Sequence, residues 1–440
     1  MSQERDELNR RRRAREEARK KREQAQRRLR IRLIIAALVL VACGVGFFFM
    51  TRGNTPAPDQ EVMATTPVVT EAPTEAPTEE DASWERANEV IHLVAGGDLN
   101  ITDQVIWSGQ EGGVYDYTNA FMDVASILSE ADLSLLNFEG TVSGMPYGTE
   151  TGSAPVELVT ALKKAGVDLV QLANSCAING GYSGLVTTLS SIRETGIVPM
   201  GAFSGNEEFR KSKGYTICEV GGIKIALISF TKGMGGRGLP EGSEDCVNLL
   251  YTDYATTYRE IDKEGITSIL KAAANEDPDI TIALLHWGSE YNEEISESQK
   301  DIRDLMLSNG VDAIIGTHSH LVQKIEYDEN SGQLVAYSLG DFFGDAKRSG
   351  TQYSILLDLE ITKNYDTGIT RITDYTYTPI YTLSEDDCDG ERRVVRIHNA
   401  MSAYELNFVD RVTSTCYADM QYALNRIDAR IKGEDANAKK

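Results

Sequence analysis

Gly316-Thr317-His318-Ser319-His320 closes a largely apolar run, Val311 to Ile315, and sets two of the chain's five histidines one residue apart. Read as a buried parallel strand, the run delivers both imidazoles at its carboxyl end, where open α/β sheets place their ligand sites. Two imidazoles are not yet a metal site, because a protein cage for a metal offers about four donors of suitable softness. Taken alone, these five residues read as two loop histidines. The rest of the chain repeats the pattern, and the repetition decides the fold.

From Val90 onward, short apolar runs alternate with amphipathic stretches, the signature of βαβ units and of an α/β fold. The strand candidates are Val90 to Ala95, Leu133 to Leu136, Leu169 to Leu172, Ile197 to Met200, Ile223 to Ile228, Ile280 to Leu285 and Val311 to Ile315. Helical spacing is found over Thr118 to Glu130, Pro155 to Ala165, Gly184 to Glu194, Ile266 to Ala274 and Ser298 to Ser308. Gly221-Gly222 predicts a hairpin turn between Tyr215 to Val220 and Ile223 to Phe230. After residue 320, Leu321 to Tyr327, Leu334 to Ser338, Tyr353 to Thr362 and Ile369 to Tyr377 read as successive antiparallel strands. Residues 392 to 432 return to helical spacing, as a cap on the domain or an oligomerisation element.

The residues at the strand ends carry the chemistry. Gly96-Gly97-Asp98-Leu99-Asn100, Asn137-Phe138-Glu139-Gly140, Ala173-Asn174-Ser175-Cys176, His286-Trp287-Gly288-Ser289-Glu290-Tyr291, Gly316 to His320 and Ser338-Leu339-Gly340-Asp341-Phe342 each stand just past an apolar run. Loops at one edge of a sheet converge, so these residues are expected to line one cleft. Mixed oxygen and imidazole donors suit Mn, Fe or Zn, and their number suits two divalent ions bridged by a carboxylate. Singly, each has a plainer role. Asp98 and Asp341 follow glycines and could terminate strands, Glu139 and Glu290 could be solvated, His286 could be a satisfied core histidine, and Trp287 and Tyr291 could simply pack. It is their joint placement that points to a metal cleft.

These pieces, in this order, resemble the CapA family of poly-γ-glutamate capsule proteins, whose domain is similar to the calcineurin-like metallophosphatases. The resemblance rests on Gly97-Asp98, Asn137-Phe138-Glu139, His286-Trp287-Gly288 with Glu290-Tyr291, Gly316-x-His318-x-His320, and Tyr337-Ser338-Leu339-Gly340 before Phe342. It implies a metallophosphatase-like layered α/β sandwich over residues 89–383. It also implies a metal set of Asp98, Glu139, Asn174, His286, His318 and His320. The chain departs from the family pattern at Ala173-Asn174-Ser175-Cys176 and Asn179, where the family reads Ala-Asn-Asn-His and then Asp. Cys176 thus stands in the place of the family's catalytic histidine, a proton donor, and Ser175 in that of a ligand asparagine. A thiol near its ordinary pKa of about 8.5 does not replace imidazole as a proton donor at neutral pH. Asp341 stands for the family's asparagine, and Thr317 where a further histidine is common.

The segments before the domain have another character. Residues 1–32 carry fourteen Lys and Arg against six Asp and Glu, and residues 33–50 carry no charge. At 1.5 Å per residue this run reaches roughly 27 Å, enough for one transmembrane helix and longer than the core of a secretory signal. The excess of basic residues before the span predicts a cytoplasmic amino terminus and an extracellular main domain on the cell membrane. Residues 51–88 include the repeat Thr-Glu-Ala-Pro at Thr70 to Pro73 and Thr74 to Pro77, and are expected to form a disordered stalk. Residues 53–440 hold 29 basic and 61 acidic residues, a net of −32, which argues against nucleic acid as a partner. Five cysteines lie beyond Cys43, so at least one is unpaired; Cys388 with Cys416 is the pairing expected to clasp the helical extension, residues 384–440.

Two functions are consistent with these residues. One is a metal-dependent phosphoesterase or amide hydrolase acting in synthesis, anchoring or release of an extracellular polymer. The other is a catalytically silent scaffold that binds the polymer or its assembly machinery. Five retained candidate ligands favour the first, and Ser175 and Cys176 the second.

Overall fold

The structure, a computed structural model, describes residues 88–387, 392–406 and 412–434. The readings placed on residues 1–87, the span and stalk among them, lie outside these residues, as does Cys388. Among the described residues no helix is long and apolar enough to cross a membrane.

Among the described residues, sixteen strands are distributed over two large sheets and one small hairpin. In chain order they are β1 (Glu89–Asn100), β2 (Gln110–Glu111), β3 (Val114–Tyr115), β4 (Leu133–Glu139), β5 (Leu169–Gln171), β6 (Val198–Met200), β7 (Tyr215–Val220) and β8 (Ile223–Thr231). The second half holds β9 (Ile280–His286), β10 (Ala313–Thr317), β11 (Ile325–Asp328), β12 (Gln333–Ala336), β13 (Asp341–Phe343), β14 (Tyr353–Asn364), β15 (Ile369–Leu383) and β16 (Arg393–Arg396). The first sheet runs β16-β15-β14-β1-β4-β5-β6, with β13 paired to β1; the second runs β11-β12-β10-β9-β8-β7.

Strand alternation shows why two sheets form. On β1 and β4, Ile91, Leu93, Leu133 and Leu135 join one core with Ile225, Leu227, Ile282 and Leu284 of the second sheet. Their neighbours Val94, Leu136 and Phe138 face away, against Leu158, Leu162, Leu185 and Leu189 of helices Val156–Ala165 and Gly181–Glu194. On the second sheet Ile228, Phe230, Ala283 and Leu285 pack against Ile266, Leu270, Ile302 and Met306 of helices Lys263–Ala274 and Glu297–Ser308. The result is helices, sheet, sheet, helices. Each central strand is buried on both faces, which is why the runs look continuously apolar in the sequence.

The expected hairpin at Gly221-Gly222 is present, with both glycines at positive φ and Val220 opposite Ile223. The expectation of successive antiparallel strands after residue 320 needs correcting. β11 and β12 form a hairpin, but β12 pairs parallel to β10 in the second sheet, while β14 and β15 pair antiparallel in the first. Residues 393–396, given helical spacing in the sequence, are instead an edge strand on β15. Beyond them, helix Ser414–Lys432 turns Cys416, Met420, Ala423, Ile427 and Ile431 into the core between the sheets. It caps the domain.

Candidate metal centre

The carboxyl ends of β1, β4, β9 and β10 meet at the edge of the two sheets. At β1 the pairing with β4 slips: Ala95 lies opposite Leu135 and Asp98 opposite Asn137, so Gly96-Gly97 bulge over one residue. Bulges of this kind re-aim side chains beside functional sites. This one sets Asp98 beside Asp341 of β13, with the Asp98 N–H donating to the Gly340 carbonyl at 3.0 Å.

Two three-donor groups result, Glu139 with His286 and His318, and Asp98 with His320 and Asp341. In each group one donor atom per residue lies within 4.8 Å of the others. The carboxylates come from the first sheet and the imidazoles from the second. Asp98 stands between the groups, Oδ1 3.9 Å from His286 Nδ1 and Oδ2 3.6 Å from His320 Nδ1. Its orientation is fixed by Asn137 Nδ2, which donates to Oδ1 at 2.5 Å, and by the His318 N–H, which donates to Oδ2 at 3.0 Å. His286 Nε2 is 3.3 Å from Glu139 Oε1, and its Nδ1 is 3.0 Å from Thr317 Oγ1. His320 Nδ1 is 2.8 Å from Asp341 Oδ1.

All six residues are buried. Burial, then the charge of Glu139, holds the Asp98 carboxyl above its ordinary range, and burial pushes Asp341 up to about 7. Burial depresses the His318 imidazole; in His320 the same effect is outweighed by Asp341, and its pKa rises. Three carboxylates crowded out of water call for countercharge. Glu139 Oε2, moreover, is buried without a hydrogen-bond partner. Oxygen and imidazole donors, with Asp98 standing between the two groups and a carboxylate oxygen left without a partner, together fit divalent cations. His318, His320 and Tyr291 all take left-handed backbone, φ 88°, 59° and 55°. Such strain, about 1–3 kcal/mol each, gathers where side chains must be aimed.

Five of the six ligands named from the sequence fall in these groups. Asn174 lies behind Asn137: its Nδ2 donates to Asn137 Oδ1 and the Phe138 carbonyl, and its Oδ1 accepts from the Cys176 N–H. It buttresses Asn137. Asp341 enters the second group, signalled by a Gly-Asp pair like that at Asp98. Cys176 is half-buried beside the first group, and burial followed by the Glu139 charge pushes its thiol up. Ser175 Oγ lies 2.9 Å from His286 Nε2 and 3.4 Å from His318 Nδ1. Trp287 packs, stacked on Tyr337 and donating to its carbonyl at 2.9 Å; Glu290 is exposed. Tyr291, by contrast, stacks on His320 with ring centroids 5.1 Å apart.

The sequence profile of the family described as "Bacterial capsule synthesis protein PGA_cap" matches residues 92–346, more than half of the chain. The chain is 26% identical over 212 residues to "Capsule biosynthesis protein CapA" of Bacillus anthracis, a match covering 48% of each chain. It is 27% identical over 252 residues to "PGA biosynthesis protein CapA" of Bacillus subtilis (strain 168), covering 56% of this chain and 61% of that one. The chain thus spans about half the length of the first relative and three-fifths of the second. Among solved structures it is similar to a calcineurin-like phosphoesterase, YfkN from Bacillus subtilis, with TM-score 0.40 and 15% identity, covering 78% of this chain and 99% of that chain.

Proposed function

Because the chain belongs to the bacterial capsule synthesis protein family, we propose that it acts in the synthesis, anchoring or release of an anionic cell-surface polymer such as poly-γ-glutamate. It does so through a centre for two divalent ions built on Asp98, Glu139, His286, His318, His320 and Asp341. The observation that carries this reading is the pair of three-donor groups meeting at Asp98, with Glu139 Oε2 buried and unpartnered. Ions held there supply Lewis-acid stabilisation for hydrolysis of a phosphoester or amide. The chain's own residues prepare the centre. Asn137 orients Asp98, Thr317 and Asn137 face the Nδ1 side of His286, and Asn174 locks Asn137.

A second reading, a silent scaffold for polymer assembly, is favoured by one observation. Ser175 places a hydroxyl against the facing nitrogens of His286 and His318 where the family carries a ligand amide, and Cys176 offers a weak acid in place of imidazole. Elemental analysis of the purified full-length protein, with rates on phosphoesters and γ-glutamyl peptides, separates the two. The enzyme reading expects metal in wild type, its loss in His286→Ala and His318→Ala, and a metal-dependent rate. Metal without any rate supports the scaffold; a wild type that takes up no added Mn, Fe or Zn overturns the metal centre itself.

The proposal also anchors the chain in the cell membrane through residues 33–50, with residues 1–32 cytoplasmic and residues 53–440 outside. The fourteen basic residues before the span support it. Protease added to intact cells is expected to release a soluble fragment that begins in the stalk. A mature amino terminus beyond Met50 without added protease would show a cleaved signal instead.

A further inference from the structure

We propose that Arg348, laid over Tyr291 at the mouth of the metal centre, is a specificity-determining residue that receives an anionic group of the substrate, a carboxylate or a phosphate. Its place beside a reacting centre rests on the reading above; the anion contact itself does not.

The geometry is a column leading inward. The Arg348 guanidinium carbon lies 3.9 Å from the Tyr291 ring centroid, and the Tyr291 ring is stacked on His320 at an interplanar angle of 27°. Tyr291 is tied to the histidine loop by its N–H, which donates to the Ser319 carbonyl at 2.8 Å. Arg348 stands on the loop that leaves β13, so one connection carries both Asp341 and this guanidinium. That loop is stapled rather than loose. The Gln352 side chain accepts from Gly350 N–H and donates to the Ala346 carbonyl, Thr351 donates twice to the Arg348 carbonyl, and Arg392 Nη1 donates to the Gly344 carbonyl.

Arg348 also differs in its partners. Arg303, Arg392, Arg426 and Arg430 each hold a carboxylate, whereas Arg348 is exposed and, like Arg210, Arg259 and Arg371 among the described residues, shows neither an ion pair nor a side-chain hydrogen bond; of these four it is the one set over the aromatic ring beside the metal centre. Contact of the guanidinium carbon with the ring face holds the group beside His320 while its N–H donors make no protein hydrogen bond, which leaves them for a carboxylate or a phosphate. Lys232, donating to the Gly288 carbonyl, and Arg237, donating to Asn179, add cations on other loops of the cleft, with Glu290 as the opposing charge. In a chain so acidic overall, cations at the cleft supply the local attraction that a polyanionic substrate needs.

Calorimetric titration of the full-length protein in detergent tests this. The probes are inorganic phosphate, a γ-glutamyl trimer and the same trimer with its carboxylates amidated, each with and without Mn²⁺. Arg348→Gln is expected to weaken binding of phosphate or the charged trimer about tenfold or more, and to leave Mn²⁺ uptake and the neutral trimer unchanged. Arg348→Lys is expected to fall between, since it keeps the charge and loses the fork. The two charged probes distinguish a phosphate from a carboxylate source. A wild type that takes no Mn²⁺ but still loses anion affinity on Arg348→Gln sinks the metal reading and sustains this one. The inference is overturned if wild type binds neither charged probe, or if Arg348→Gln binds them as wild type does.

Discussion

A Cβ added to Gly97 would sit 1.8 Å from the Gly340 carbonyl oxygen, and one added to Gly316 would sit 2.0 Å from that of Tyr337. Both glycines therefore stand where backbone passes backbone, and the first sets the bulge that aims Asp98. Gly97→Ala is expected to destabilise the domain by about 1–3 kcal/mol or more, since backbone rather than a flexible side chain must give way. An unchanged denaturation midpoint would contradict this. Cys176 is the other decisive position. If the centre lacks only its proton donor, Ser175→Asn with Cys176→His should raise turnover of alkyl esters, by up to about 10²–10⁴-fold, more than that of p-nitrophenyl esters, whose leaving group needs no proton. A folded, metal-loaded double variant with no rate on either class would leave the scaffold as the better account. At this scale the sequence is most legible: Asp98, Glu139, His286, His318 and His320 stand out because each closes an apolar run. Asp341 reads there both as a strand-end carboxylate after a glycine and as a departure from a motif, whereas the contacts of the Asn174 amide are not legible. A side chain's use of its own amide on Asn137 and Cys176 is a tertiary fact that spacing does not carry.

Elements are legible where their periodicity is long and uninterrupted. Helix Glu297–Ser308 begins at Ser296 with a capping box closed by Gln299, both residues plain in the sequence. Arg393–Arg396 reads as helix because a four-residue strand flanked by arginines has no length in which to show a period of two. The helix Ser414–Lys432 shows its period in the sequence, but not where it packs. The structure ties it to the site. Arg426 Nη2 lies 2.7 Å from Glu293 Oε2 and Arg430 pairs with the same carboxylate, on the loop that carries Tyr291. Burial pushes Glu293 up, but Arg430 and then Arg426 outweigh it and hold the carboxyl below its ordinary range. A depressed carboxylate contributes stability above its unfolded pKa and loses it as pH falls through the folded one. Glu293→Ala should therefore destabilise the domain near neutrality, by no more than about 1 kcal/mol because solvent screens a carboxylate that is 44% exposed. The gap in melting temperature between wild type and variant should close as pH drops below the glutamate range. A gap that stays constant with pH would show that the loop is held by packing instead.

Sheet membership is the least local property of the chain, and there the sequence falls furthest short of the structure. Spacing brings the strand ends to one edge of a sheet, but it does not tell that β1, β4 and β13 belong to one sheet and β9 and β10 to another. The distinction matters because charge is divided along it. Asp98, Glu139 and Asp341 project from the first sheet, and His286, His318 and His320 from the second. Without countercharge the carboxylates repel one another at a buried edge; a cation held by donors of both sets, as proposed, would draw the sheets together there. Its binding free energy then adds to that of folding, by about 2.7 kcal/mol when the free ion is at 100 times its dissociation constant. Chelation should therefore lower the melting temperature of the whole domain in one cooperative transition, and adding Mn²⁺ back should restore it. His318→Ala removes a donor from the second sheet only, so its melting temperature should lie near that of chelated wild type and respond weakly to Mn²⁺ or to chelator. If wild type melts at the same temperature with and without chelator while elemental analysis shows that metal has left, the ions do not join the sheets, and the interleaved core of Leu93, Leu135, Leu227 and Leu284 alone accounts for their association.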